Sequence, residues 1–186
     1  MTSILTGVFA SQISGHLFSG PTGSYDALAT VTVPSGGASS ITFSAIPQTG
    51  YKHLQLRAFY RTSGTGANLK MNFNSNSFSP VRSHYIVGFG SGTPTAGTDT
   101  ATILSINDGE AANIFAGQVF DILDYTNTNK NKTLRTLGGI DHNGSGAVFL
   151  FSALTTVTDA INSLTVTLNT ADNFTQYTQF SLYGVK

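Results

Sequence analysis

The sequence predicts an all-β protein: an antiparallel β-sandwich of about ten short strands, preceded by a short N-terminal arm. Three observations carry that prediction. Apolar and polar residues alternate with period two through most of the chain, which buries one face of a strand and wets the other. Gly, Pro, Asn, Asp and Ser interrupt those runs at the short intervals of sandwiches and barrels. Charged residues make up only 10% of the 186 residues, against roughly 25% in an average globular protein. Thr, Ser, Asn and Gly fill the gap, and β-branched Thr packs well on a pleated surface.

Residues 1–24 differ from the rest. Leu5, Phe9, Ile13 and Leu17 recur at spacing four, joined by Ile4, Val8 and Phe18. That spacing could place one apolar stripe on a short helix, although Gly7 and Gly15 each cost about 1 kcal/mol relative to Ala inside one. Gly20-Pro21-Thr22-Gly23 then breaks the segment. One reading is a terminal element closing the domain's own core. The other is an arm docking on another subunit, through Ile4, Leu5, Val8, Phe9, Ile13, Leu17 and Phe18. An apolar arm ahead of a Gly-Pro hinge favours the second.

Residues 25–186 read as the sandwich domain. From Tyr25 the chain alternates with Ala27, Ala29, Val31 and Val33 on one face and Asp26, Thr30 and Thr32 on the other. Ile41 and Phe43 alternate with Ser40, Thr42 and Ser44, and Leu54, Leu56, Ala58 and Tyr60 with His53, Gln55, Arg57 and Arg61. Leu69 to Asn74 and His84 to Phe89 are further strands. Gly90 to Thr98 reads as a long loop with Pro94 at the surface. Thr102 to Ile106 leads into a turn at Asn107-Asp108-Gly109-Glu110. Phe115–Tyr125, Lys132–Ile140, Ala147–Leu154, Leu164–Leu168 and Gln179–Val185 complete the set. Thr158 to Ser163 reads as at most one helical turn, and no fixed-period repeat occurs. Val119–Leu123 and Val148–Phe151 are apolar on both faces, so each is either central to the sandwich or covered by a neighbouring subunit.

The composition excludes several functions. Nine basic and nine acidic residues give zero net charge. The basic footprint of a nucleic-acid binder is missing, and Lys130, Lys132 and Arg135 read as a solvated turn and strand edge. With no cysteines there are no disulfides, thiolate metal sites or Cys nucleophile. No apolar run is long enough to span a membrane, and Ile4 to Phe18 lacks the pattern of a signal peptide. His16, His53, His84 and His142 are scattered without zinc-ligand spacing. Asp108, Glu110, Asp121, Asp124 and Asp141 leave a structural calcium site open, but turn chemistry explains the Asn-Asp-Gly-Glu run equally. The single Glu, Glu110, lies in that turn, and neither a nucleophile elbow nor a phosphate-binding loop appears. No metal or cofactor is implied, and the sequence argues against an enzyme. Sugar-binding faces favour exposed aromatic rings; the chain has no Trp, and Tyr60, Tyr85, Tyr125, Tyr177 and Tyr183 read as half-buried packing.

Tyr25-Asp-Ala-Leu-Ala-Thr-Val-Thr-Val, Ser39-Ser-Ile-Thr-Phe-Ser-Ala-Ile-Pro47, Tyr51-Lys-His-Leu-Gln-Leu-Arg57, Asp124-Tyr-Thr-Asn-Thr-Asn-Lys-Asn-Lys132 and Phe180-Ser-Leu-Tyr-Gly-Val185 resemble a family of β-sandwich proteins of tailed bacteriophages, common in viruses of marine and freshwater bacteria. The resemblance covers roughly residues 24–186, and its motifs carry no catalytic residues. It implies a jelly-roll-like sandwich, often trimeric, in the virion. Members resemble capsid cement (decoration) proteins or distal tail-fibre modules. A small domain with an apolar arm and no shaft suits the cement role. The expected partners are then the major capsid protein and further copies of this chain, as a homotrimer, with neither nucleic acid nor membrane. The alternative is a receptor-binding module recognising a host-surface glycan through Gly90–Thr98 and Asp141–Gly146.

Overall fold

The structure, a computed structural model, describes residues 23–64, 66–75, 80–90, 92–99, 112–156 and 158–186. The described residues contain eleven strands: β1 (Tyr25–Thr32), β2 (Ser40–Phe43), β3 (His53–Tyr60), β4 (Leu69–Phe73), β5 (Pro80–Phe89), β6 (Thr95–Asp99), β7 (Ala116–Leu123), β8 (Thr133–Asp141), β9 (Gly146–Thr155), β10 (Leu164–Leu168) and β11 (Gln179–Val185). They form two antiparallel sheets. The larger has the order β1-β11-β3-β7-β8-β9-β5-β6, the smaller β2-β10-β4. The fold is therefore all-β, as the alternation predicts. The expected strand at Thr102–Ile106, the turn at Asn107–Glu110 and the arm up to Thr22 lie outside the described residues.

One core joins the two sheets. Leu54, Leu56 and Tyr60 of β3, Phe120 and Ile122 of β7, and Phe180 and Leu182 of β11 face Ile41 and Phe43 of β2, Leu69, Met71 and Phe73 of β4, and Leu164 and Val166 of β10. These are the apolar halves of strands that alternate cleanly, so period two fixes which side each presents. The small sheet covers part of the large one. Further along, Val87, Ala147, Phe149 and Phe151 make a second buried cluster on β5 and β9. Phe149 and Phe151 meet edge to face at 5.8 Å. Gly138 on β8 is demanded by this packing: a Cβ there would stand 2.6 Å from the Phe149 ring.

Four local expectations need correction. In β1 the register against β11 shifts between Ala27 and Ala29, so the strict alternation fails. The bulge turns Leu28 toward the core beside Val31, while Ala27 stays exposed. Thr95–Asp99 is not loop but strand β6, paired with β5; the loop shrinks to residues 90–94, and Pro94 is exposed. Residues 158–163 form no helical turn. Asn74 holds them extended, its Oδ1 accepting from the amides of Asn162 and Ser163 and its Nδ2 donating to the Ala160 carbonyl. Gln48 Nε2 donates to the Ile161 carbonyl at 3.0 Å, which takes up a group a helix would have used. Finally, Lys132 is fully buried and is no part of a solvated edge. Its Nζ donates to the carbonyls of Asn127, Lys130 and Thr158.

Candidate functional site

The outer face of the large sheet is the most distinctive surface. It is built by the strand residues that alternate away from the core. Three consecutive rows cross β7, β8, β9 and β5 in register. The central row is Val119, Leu137, Leu150 and Ile86. Toward one end of the strands lies Asp121, Arg135, Ser152 and His84, and toward the other Gly117, Gly139, Val148 and Gly88. Ile86, Leu137, Val148 and Leu150 are 56%, 58%, 66% and 47% exposed. Leu154 and Phe59 extend the apolar area, the Phe59 ring stacking on Phe115 at 4.7 Å. The central residues are thus unlike the usual water-facing side of an antiparallel sheet, which is polar.

These rows contain the outward-facing residues of the segments that read as apolar on both faces. β9 is interior to its sheet, yet within Val148–Phe151 only Phe149 and Phe151 are buried, and Val148 and Leu150 face water. Val119 is half-buried between Arg57 and Leu137. The sequence reading missed Ile86 and Leu137, although Tyr85-Ile86-Val87 carries the same two-faced signal.

Beside the apolar rows the face turns polar toward β1. The Arg57 guanidinium lies over the Tyr183 ring at 4.4 Å and near Tyr25 at 5.5 Å. Arg57 Nε donates to Gln55, and Gln55 Nε2 donates to Asp121 Oδ1 at 2.9 Å. Of the carboxylates considered as calcium ligands, Asp108 and Glu110 lie outside the described residues, and the other three do not converge. Asp121 takes the Gln55 amide, Asp141 accepts from the Asn143 amide, and Asp124 pairs with Lys130. The Lys130 ammonium beside Asp124 holds its carboxyl below the ordinary 3.8. No cluster of three His, Asp or Glu residues forms among the described residues.

The two loops proposed from sequence for glycan contact do meet. Phe89, Gly90 and Gly92 face His142, Gly144 and Ser145 across an open depression of about 560 Å³, and the Gly90 amide donates to the Gly146 carbonyl at 3.2 Å. The depression is shallow and mostly floored by glycine, with Phe89 its one aromatic wall. The arm residues Ile4, Leu5, Val8, Phe9, Ile13, Leu17 and Phe18 lie outside the described residues. Comparison of the chain with protein-family models, curated proteins and solved structures gives no match.

Proposed function

We propose that this chain is a structural protein of a bacteriophage virion, a capsid cement protein bound to the outside of the shell. The single observation that carries the reading is the exposed apolar outer face of β5, β8 and β9. Contiguous apolar surface of that extent in a small, nearly uncharged domain is the mark of a surface covered in an assembly. Two further points support it. The motifs of residues 24–186 resemble phage sandwich proteins. The strand orders β1-β11-β3-β7 and β2-β10-β4 interleave first, last and third strands as a jelly roll does, with β8, β9, β5 and β6 as an extension.

In this role the partners are the major capsid protein and other copies of the chain, with trimers expected from the resemblance. The mechanism is mass action: a protein that binds only the assembled shell stabilises it against internal DNA pressure. Many identical contacts on one particle add avidity. The apolar arm of residues 1–24 supplies a second contact. Cryo-electron microscopy of the source virion tests the reading. Density for this chain on the outer face of the shell is the expected result; density only at the tail tip overturns it.

A second reading, a receptor-binding module for a host glycan, draws on the meeting of the 90–94 and 141–146 loops around Phe89 and His142. It predicts that changes in these loops abolish host adsorption while leaving the chain on the particle.

A further inference from the structure

We propose that two copies of this chain pair face to face through β7, β8, β9 and β5, about a twofold axis running across the strands along the Val119–Leu137–Leu150–Ile86 row. The inference rests on the assembly reading above but not on any virion location, and this contact is separate from the threefold one that the resemblance implies.

The register supplies the argument. A twofold axis along the central row reverses the strand direction and lays each strand on its own copy. The row on one side of the axis then falls on the row on the other side. On β7, Asp121 falls on Gly117 of the second copy, and on β8 Arg135 falls on Gly139. On β5, His84 falls on Gly88, and on β9 the pairing is inverted, the small Ser152 falling on Val148. Four strands therefore each place one large and one small residue at mirrored positions. The central apolar residues meet one another and form the dry middle of the contact.

The glycines give independent support. Gly in a strand interior costs about 0.5–1 kcal/mol, and it marks places where another backbone or a ligand approaches closely. The chain's own packing does not demand Gly88 or Gly117, since a Cβ built at either meets no atom within 4 Å. What these glycines leave open is space above the sheet. Phe59 and Phe115, stacked, close the trough at its β3 end.

The area is right for a second copy. Phe59, Ile86, Leu137, Val148, Leu150 and Leu154 are 44–66% exposed. Together they leave on the order of 500 Å² of apolar surface in water, well over half the ~800 Å² per partner of a standard interface. The polar row supplies the rim. Its Asp121 and Arg135 stand opposite each other in register, so each brings a counter-charge into the contact. With zero net charge, two copies do not repel.

Sedimentation equilibrium of the purified full-length chain, free of virions, tests the pairing. The wild type is expected to form an even-numbered assembly, a dimer or, where a threefold contact also forms, a hexamer. Gly88→Val and Gly117→Val should keep the strand circular dichroism and thermal midpoint of the wild type, yet weaken pairing at least about tenfold and halve the assembly. Adding His84→Gly to Gly88→Val removes the side chain that the new valine meets, and should recover pairing. A monomeric or trimeric wild type overturns the proposal, as does a Gly88→Val variant that pairs as tightly as wild type. A chain that fails to pair but still decorates shells rejects this contact and keeps the cement reading; a chain that pairs but never binds shells does the reverse.

Discussion

At the residue scale, Lys132 shows how a charged side chain can serve the fold. It sits immediately before β8, fully buried, where the chain leaves the 124–131 turn. Burial pushes its ammonium pKa down from the ordinary 10.5. Three main-chain carbonyls replace the lost water: Thr158 at 2.9 Å, Lys130 at 3.2 Å, and Asn127. One ammonium thereby ties the turn to the segment after β9, and none of those carbonyls is satisfied by a regular ladder. Lys132→Met keeps the length and apolar volume but strands the carbonyls. Because unpaired buried polar groups are costly, the expected loss is about 2–4 kcal/mol, read as a lowered denaturation midpoint in urea with an unchanged slope. Lys132→Arg should also destabilise, since a planar fork does not fit a three-carbonyl cage. No sequence signal marks this site. Asn-Lys-Asn-Lys reads as a solvated turn because burial of a lysine depends on carbonyls brought from residues 127 and 158 by the fold.

At the element scale, the decisive strands are the last two. β11 lies between β1 and β3, and β10 lies between β2 and β4. Each sheet thus has at its interior a strand from the C-terminal quarter of the chain, so neither is complete until the chain is. Removing residues 179–186 would leave β1 without its partner and expose Leu54, Leu56 and the rest of the β3 edge to water. The expected outcome is a chain without a cooperative thermal transition, whereas removing Lys186 alone leaves the transition in place; calorimetry on the two truncations distinguishes them. Contacts between such distant segments also make folding slow, on the millisecond-to-second scale of all-β domains. Much of this architecture was legible in sequence. β2, β4, β10 and β11 alternate strictly because each has one face on the shared core, and periodicity reports that directly. β6 was not legible. Thr-Ala-Gly-Thr-Asp has turn composition, and its strand state comes from pairing with β5, which no local pattern encodes. The bulge at Leu28 was hidden for the same reason, since it is defined against β11. The outer face was half legible. Val148 and Leu150 stood out in a run apolar on both faces, but the row they form with Leu137 and Ile86 exists only once the strands are in register.

At the scale of the whole molecule, few charges act, and two carboxylates hold the end where the chain's described segments begin and finish. Asp26 at the start of β1 accepts from Lys186 Nζ at 2.9 Å and from the Tyr51 hydroxyl at 3.1 Å. The Lys186 hydrogen bond is the main reason its carboxyl titrates below the ordinary 3.8. Asp124, held down chiefly by Lys130, lies near His53, and the Asp124 amide donates to His53 Nδ1. Both carboxyls have lower pKa values in the folded state than in the unfolded chain. The unfolded chain therefore binds more protons through the interval between those values. The stabilisation from each pair is fully present above the unfolded value and is lost as pH falls through the folded one. Thermal stability should then be level from about pH 7 to pH 5 and decline below about pH 4. Both side chains are partly exposed, 36% for Asp26 and 26% for Asp124, so screening by water keeps each contribution small and salt-dependent. Asp124→Asn isolates one of them. Asn tolerates the positive φ of 49° at this position, so the backbone is kept and only the charge is removed. The variant should melt slightly lower than wild type at pH 7 and lose less on acidification, the two curves converging as pH falls through the lowered folded-state value of Asp124. Parallel curves with a constant offset would show that the Asp124–Lys130 pair does not contribute to the acid response.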